Sequence, residues 1–276
     1  MAVTEGGSGA DLVTSVLRAS EILSLFSPSS EFLSINEVTQ ATGLNRTTVY
    51  RLVNTLIEAG FLERVDDGRL AVSWRVYRIG ASAYSRRSFR DIVRSKLSGL
   101  AREFGDTAFF MMPEGGSVLC VDLVIGDSPL QINGMHIGSS LPLHCGAAPL
   151  AMLPHSSALR DALFASGLES FTSNTLVAPE ALQREIDNVR ERGFAVSEED
   201  FMQGVSAVSA AVLVKGELLG AISLGGSASR FGDIALREKG AAVVEAASAL
   251  SEQLLLFPES FAAGSALGSS FQPPVD

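Results

Sequence analysis

Residues Leu33–Val72 have the sequence LSINEVTQATGLNRTTVYRLVNTLIEAGFLERVDDGRLAV, which predicts two short helices joined by a tight turn. The first helix is expected to begin after Ser34, because Glu37 follows three residues later and the two residues form a capping box. We expect it to end at Gly43, since glycine readily adopts the left-handed conformation found just past helix ends. Local chemistry therefore defines both ends of this helix.

The second helix is expected to begin near Asn45 and to end at Gly60. Apolar residues recur within it at spacings of three and four, which places them on one packed face. They are Val49, Leu52, Val53, Leu56 and Ile57. The remaining face carries side chains that can bind phosphates and base edges in a major groove. They are Arg46, Thr47, Thr48, Tyr50, Arg51 and Asn54, and we predict that they contact DNA.

Two short extended runs follow, at residues 61–65 and 70–73, with Asp-Asp-Gly-Arg between them. Asp-Gly is a strong signal for a hairpin turn, so the runs are expected to pair as a wing. Arg69 lies at its tip, where it either reaches a phosphate or a minor groove or stays solvated. Two helices and a hairpin in this order predict a winged helix-turn-helix.

Structural alternatives exist for the proposed DNA contacts. Arg46 and Arg51 could be solvated charges on an exposed helix face, but their position after Thr-Gly-Leu-Asn at the start of a recognition helix favours DNA contact. Thr47 and Thr48 could cap the helix instead of binding a phosphate. Tyr50 either contacts a base edge or packs against the wing.

The distribution of charge supports this interpretation. The net charge of the 276-residue chain is −10, which by itself argues against a nucleic-acid binder. However, residues 40–90 contain nine arginines and four acidic residues, whereas residues 91–276 contain eleven basic and twenty-two acidic residues. Such asymmetry is typical of a protein in which one part faces DNA and the other does not.

Composition excludes several other classes of protein. The chain has 46% hydrophobic residues, enough for two domains, but no apolar run of the roughly 18 residues that a membrane span needs. Its acidic N-terminus does not resemble a secretory signal, so we expect a cytoplasmic protein. Two cysteines are too few for a disulfide scaffold, and three histidines show no metal-ligand spacing. Neither a cofactor nor a metal is expected.

Before the helix-turn-helix, the spacing of Val16, Ala19, Leu23 and Phe26 predicts a covering helix over residues 13–26. After the wing, helical spacing with few breakers predicts a linker helix. We therefore divide the chain into a winged-helix domain at residues 11–73, a linker helix at 74–90, a C-terminal domain at 91–258 and a disordered tail at 259–276. The first nine residues are also expected to be disordered.

The C-terminal domain is expected to be α+β, with a mainly antiparallel sheet. A helix is predicted to end at Gly105, another to begin at Pro179 and end before Gly193, and a last one to cover residues 233–256. The packing stripe of the last helix is predicted to be Val243, Val244, Ala247, Leu250 and Leu254. Strands are predicted at residues 108–112, 118–125, 130–133, 205–214 and 218–225.

Several motifs together resemble the isocitrate lyase regulator (IclR) family of bacterial transcription factors. They are SVLRASEILSLF, TGLNRTTVYRLVNTL, GSSLPLHCGAA, VRERGFAVSEED with QGVSAVSAAV, and GAISLGGSASR. The resemblance implies a winged-helix domain, a dimerising linker helix and a GAF- or profilin-like effector-binding domain. It also implies a repressor or activator of transcription that binds operator DNA as a homodimer or tetramer, with repression the commoner outcome.

The resemblance further implies where an effector binds. Members that bind small organic acids use an acid, a cysteine and two serines at the positions of Ser197, Ala207, Ser223 and Gly225, and only Ser223 keeps its type here. Because alanine and glycine cannot hydrogen bond to a buried carboxylate, we predict a larger or more apolar effector than a small organic acid, or none. The predicted effector-binding residues are Met111, Leu143, Cys145, Gly146, Ala147, Ser197, Ala207, Ser223 and Gly225.

Enzymatic function is not expected, because no Gly-x-Ser-x-Gly, phosphate-binding or dinucleotide-binding motif occurs. Neighbours such as His144 and Cys145 point to opposite faces of an extended segment, so they do not form a catalytic pair. The acidic run Glu198–Asp200 is interpreted as surface or helix-start charge. Two alternatives remain: a metabolite-binding protein whose winged helix contacts proteins, and a redox sensor with an exposed, acidic Cys120 or Cys145.

Overall fold

The computed structural model describes residues 12–27, 30–84, 87–129 and 134–256. The chain divides into two compact units, Met1–Ser85 and Arg86–Asp276, which are described separately. Both predicted disordered ends and the strand predicted at 130–133 lie outside the described residues. In the part of the chain that is described, no helix is long and apolar enough to cross a membrane.

The first unit is a winged helix-turn-helix, as predicted. Its elements are α1 (Thr14–Ser24), α2 (Ile35–Thr42), α3 (Arg46–Glu58), β1 (Leu62–Arg64), β2 (Leu70–Val72) and α4 (Trp74–Tyr84). The capping box is present: the Ser34 hydroxyl accepts the Glu37 N–H, and the Glu37 carboxylate accepts the Ser34 N–H at 2.7 Å. Gly43 has a φ of 65°, the left-handed conformation that ends α2.

The core of this unit lies where the three helices meet the wing. Its fully or almost fully buried residues are Ile22, Val38, Val49, Val53, Leu56, Leu62 and Leu70. The prediction for α1 was wrong at Val16, which is 63% exposed. Ala19 and Leu23 pack against the core as predicted. The core does not extend as far towards the N-terminus as Val16, which lies about one turn before Ala19. Ile22 is the residue of α1 that is completely buried.

The wing is a short antiparallel hairpin in which Leu62 pairs with Val72 and Arg64 pairs with Leu70. Gly68 makes its turn with a φ of 81°. On the other edge, the Leu33 and Leu70 backbones exchange two hydrogen bonds, of 3.0 and 2.8 Å. The segment before α2 is thereby attached to the wing.

The second unit is α+β, as predicted, and is built on one antiparallel sheet of order β5-β4-β3-β8-β7-β6. Its strands are β3 (Thr107–Glu114), β4 (Ser117–Val124), β5 (Ser140–Pro142), β6 (Ala195–Glu198), β7 (Val205–Val214) and β8 (Glu217–Ser227). Its α-helices are α5 (Arg87–Phe104), α6 (Ala147–Met152), α7 (Ser157–Ala165), α8 (Pro179–Arg192) and α9 (Asp233–Leu255). Two 3-10 turns, Leu153–His155 and Ala228–Arg230, complete it.

Each face of the sheet carries its own hydrophobic core. The long helices α5 and α9 cover one face, where Leu97 and Leu250 are fully buried. The short helices α6, α7 and α8 cover the other, with Leu150 and Leu182 in the second core. The prediction for α9 was wrong at Val244, which is 37% exposed, whereas Val243, Ala247, Leu250 and Leu254 are buried as predicted.

Candidate nucleic-acid interface and ligand cavity

The outer face of α3 presents most of the predicted DNA-binding residues. Arg46, Thr47, Tyr50 and Arg51 are exposed, and Tyr50 keeps 52% of its surface accessible. That exposure favours a base-edge contact for Tyr50 over packing against the wing. At 100° per residue, Thr47 and Tyr50 lie near the middle of this face, and Arg46 and Arg51 lie on either side.

Thr48 and Asn54 are half-buried, and the side chain of Asn54 is already engaged with the fold. The side chain of Asn45 caps α3 by accepting the Thr48 N–H at 2.9 Å. Asn54 accepts a 3.4 Å contact from the guanidinium of Arg64, which lies on β1. Sequence reasoning missed Arg64, although it lies in the same arginine-rich segment. Arg64 extends the basic surface of α3 onto the wing.

Arg69 is less available than its position in the wing suggests. Its guanidinium forms a 2.6 Å ion pair with Asp67, and the hydrogen bonds from Arg69 hold the pKa of that carboxyl below its ordinary value. The same guanidinium lies 5.0 Å from the ring centroid of Phe32. Arg69 is therefore partly neutralised, and a DNA contact would compete with Asp67.

The second unit contains a cavity of about 70 Å³ between the sheet and α6. Aromatic and aliphatic side chains form most of its wall, and two serines are the polar side chains among the lining residues that the structure describes. The lining residues are Phe109, Met111, Met135, Leu141, Gly146, Ala147, Ala148, Ser197, Phe201, Met202, Val205, Ala207, Ser223 and Gly225. Seven of the nine predicted effector residues are thus brought together on one wall.

The structure does not bring Leu143 and Cys145, the other two predicted effector-binding residues, to this cavity. Neither borders the cavity. Leu143 is 2% exposed and belongs to the core between the sheet and the short helices, and Cys145 is completely buried. Both lie in the segment that enters α6, and only Gly146 and the alanines that follow it face the cavity.

Asp200 holds the two sides of the cavity wall together, so its interpretation as surface charge was wrong. The residue is 5% exposed, and both of its carboxylate oxygens accept the Gly146 N–H, each at 3.1 Å. The Ser197 hydroxyl donates to the same carboxylate. Burial raises the pKa of Asp200, and the hydrogen bonds from Ser197 and Gly146 act in the opposite direction.

Ser223 belongs to a directed chain of hydroxyl groups in the sheet. Its hydroxyl donates to Ser209 Oγ at 2.7 Å, and the Ser209 hydroxyl donates to the carbonyl of Ile222 at 3.0 Å. Ser223 lines the cavity, whereas Ser209 is completely buried behind it. Ser223 therefore lines the cavity, while Ser209 satisfies a backbone carbonyl of the sheet.

The cysteines have none of the properties of reactive thiols. Burial raises the pKa of both Cys120 and Cys145 to about 12, with a smaller contribution from the nearby Asp122 and Asp200, respectively. His144 does not face Cys145 as a base, since its Nε2 lies 2.7 Å from the carbonyl of Glu169. These features favour neither a nucleophile nor a redox sensor.

Two family models match the chain. Residues 81–252 match the C-terminal domain of the bacterial transcriptional regulator IclR, and residues 15–66 match the IclR helix-turn-helix domain. The chain belongs to the IclR family. It is accordingly a DNA-binding transcriptional regulator with a C-terminal effector-binding domain, and it is not an enzyme.

Similar proteins match this IclR-family chain over most of its length. The transcriptional repressor IclR of Escherichia coli K12 is 28% identical over 241 residues, which are 85% of this chain and 88% of that relative. A crystal structure of an IclR transcriptional regulator from Silicibacter sp. TM1040 has a TM-score of 0.79 and 26% identity, covering 87% and 96% of the two chains. An IclR homologue from Microbacterium hydrocarbonoxydans, crystallised with 4-hydroxybenzoate, has a TM-score of 0.74 at 18% identity, covering 87% and 98%.

Proposed function

We propose that this IclR-family regulator represses transcription by binding an approximately palindromic operator, and that a small molecule in the cavity controls its affinity for that operator. The observation that carries the proposal is the outer face of α3, where Arg46, Thr47, Tyr50 and Arg51 are exposed on a capped helix, with Arg64 of the wing beside it. Repression is proposed from the relative in Escherichia coli.

The regulator is proposed to act as a homodimer or tetramer in which each subunit supplies one recognition helix. Half-sites would then lie about 34 Å apart along the DNA, or a multiple of that distance. We retain residues 11–73 as the DNA-binding domain, 74–90 as the linker helix, 91–258 as the effector domain and 259–276 as a tail. An effector that binds one state of the effector domain more tightly would shift the spacing of the two recognition helices.

The proposed effector site is the cavity of the second unit, with Met111, Gly146, Ala147, Ala207 and Gly225 among its contacts. Its wall supports the prediction of an apolar effector. Its volume of about 70 Å³ favours a compact ligand over a large one. The 4-hydroxybenzoate in complex with the relative from Microbacterium hydrocarbonoxydans has the aromatic character that such a wall favours, although that molecule also carries a carboxylate.

The proposal is tested by fluorescence anisotropy with the full chain and DNA from upstream of its own gene. Binding should weaken steeply as salt rises, because phosphate contacts release counterions. Arg46→Ala and Arg51→Ala should each weaken specific binding by about 1–3 kcal/mol if they contact bases. Arg102→Ala, an exposed arginine on α5, is the charge-matched control. If the Arg46→Ala/Arg51→Ala double variant binds the operator with wild-type affinity, the assignment of α3 as the recognition helix is rejected.

A further inference from the structure

Two serines supply the side-chain hydroxyls of the cavity wall, and the protons of both are already committed. Ser197 donates its proton to the Asp200 carboxylate, and Ser223 donates its proton to Ser209. Ser209 cannot reverse that bond without giving up its own bond to the Ile222 carbonyl. A serine hydroxyl has one proton and two lone pairs, so each of the two lining serines faces the cavity as a hydrogen-bond acceptor.

The surroundings of these acceptors are either apolar or negative. Phe109, Met111 and Phe201 contribute most of the nearby apolar wall, and none of the described lining side chains carries a positive charge. The carboxylate of Asp200 lies directly behind Ser197 and is 5% exposed. A buried anion in this cavity would therefore meet two acceptors and a second carboxylate.

We propose that the effector of this cavity is a compact, uncharged and mainly apolar molecule with a hydroxyl or N–H group that donates to Ser223, and that the cavity discriminates against carboxylates. The inference rests on the proposed function, since it takes the cavity to be the effector site. It adds that the ligand donates a hydrogen bond to the wall. This follows because Ser223 donates its own proton to Ser209, and Ser209 donates to the Ile222 carbonyl.

Among the described lining residues, the competing hydrogen-bond donors are backbone groups. The Gly146 N–H is already bonded to both oxygens of Asp200. A carboxylate would have to rely on backbone N–H groups in the first turn of α6, a helix of only six residues. Desolvating a carboxylate costs far more than desolvating a hydroxyl. Without a positively charged side chain among the described lining residues, these backbone groups do not compensate for that cost. Benzoate is therefore the decisive competitor for a neutral ligand of similar shape.

The test is a ligand-observed NMR titration of the full-length protein, without DNA, with phenol, toluene, anisole and benzoate. Phenol and toluene have the same shape and differ in the donor. Ser223→Ala should lower the affinity for phenol about two- to tenfold relative to that for toluene, which corresponds to one hydrogen bond. Toluene binding also reports that the cavity is intact in the variant. Ser206→Ala is the control, because Ser206 is equally buried and does not line the cavity.

A second variant tests the direction of the hydroxyl chain. Ser209→Ala removes the acceptor of the Ser223 proton, so Ser223 becomes able to donate into the cavity. The preference for phenol over anisole, an acceptor without a donor, should then shrink by a similar factor. Three results would overturn the inference: benzoate binding more tightly than phenol, an unchanged phenol-to-toluene ratio in Ser223→Ala, or no binding of any of the four probes.

Operator binding is measured separately on the same preparations. Phenol binding with the expected ratios but without any effect on operator affinity supports the ligand class and rejects ligand control of transcription. Preference for benzoate together with ligand-dependent operator affinity rejects the ligand class and supports ligand control of transcription. Failure of the ligand class and failure of the proposed function are thus distinguishable.

Discussion

Lys239 Nζ lies 2.5 Å from Asp106 Oδ2, and the two side chains are 5% and 0% exposed. The contact is an ion pair whose angle is not that of a hydrogen bond. Arg230 Nε binds the other oxygen of Asp106 at 2.8 Å, and its Nη2 donates to the carbonyl of Phe104 at 2.6 Å. One buried carboxylate therefore joins the end of α5, the start of β3 and the first half of α9.

Asp106→Asn is expected to destabilise the second unit strongly. The substitution leaves the buried ammonium of Lys239 without a counter-charge, and breaking a buried pair in this way costs about 3–5 kcal/mol. The measurement is urea unfolding of the full chain followed by circular dichroism, with the transitions of the two units fitted separately. The control is Asp187→Asn, which removes an exposed pair with Arg190 and should cost less than about 1 kcal/mol. Equal losses of unfolding free energy in Asp106→Asn and Asp187→Asn would contradict a special contribution of the buried ion pair to stability.

Asp67→Asn is expected to strengthen DNA binding. The substitution keeps the shape of the turn but releases Arg69 from its ion pair, so operator affinity at moderate salt should rise by roughly two- to fivefold. Anisotropy titrations over a range of salt concentrations measure both affinity and the salt slope. Asp66→Asn is the matched control, because it removes the same charge from the same turn. If both variants gain equally, net charge alone is responsible and Arg69 does not reach the DNA.

Both cysteines are expected to resist modification in the folded protein. With a pKa of about 12, on the order of one thiol in ten thousand is ionised at pH 8, and the thiolate is the reactive form. Ellman's reagent should therefore react slowly with native protein and fast in guanidinium chloride. Ser229→Cys places a thiol at an exposed position and is the positive control. Rapid labelling of native Cys120 or Cys145, or a loss of operator affinity after peroxide treatment, would restore the redox-sensor alternative.

The first unit was predictable because its signals are local. The capping box of Ser34 and Glu37, the left-handed Gly43 and the cap at Asn45 each act within four residues of the helix end that they define. Val16 was not predictable in this way. Helical spacing shows which side of α1 is apolar, but it does not show how far along that side the partner helices extend.

The cavity depends on contacts that no local pattern contains. Asp200 accepts from Gly146, 54 residues away, and follows Glu199, whose φ is 57°. Because this partner is so distant in sequence, the acidic run is indistinguishable from surface charge when only the sequence is known. Leu143 and Cys145 also could not be placed from the sequence. A family resemblance locates the segment that contains them, but it does not show which of its residues face the cavity.

Asp200 is expected to make stability depend on pH. Burial raises its pKa above the ordinary value of 3.8, so the folded state holds this proton more tightly than the unfolded chain does. Its contribution to the free energy of unfolding is then greatest below pH 3.8 and declines as pH rises through the raised pKa, by at most about 1.4 kcal/mol per pH unit. Asp200→Asn cannot titrate, so the stability of the wild type relative to this variant should fall as pH rises from 3.8 through the raised pKa of Asp200.

Ser197→Ala tests how far the hydrogen bond from Ser197 offsets burial in setting the pKa of Asp200. The Ser197 hydroxyl lowers the pKa of Asp200, and its removal should move the decline in relative stability to higher pH. Urea unfolding at a series of pH values measures both effects. If the stability of the wild type relative to Asp200→Asn instead grows as pH rises, the hydrogen bonds from Gly146 and Ser197 outweigh burial. The carboxylate would then stabilise the fold in its ionised form, and its pKa would be lowered rather than raised.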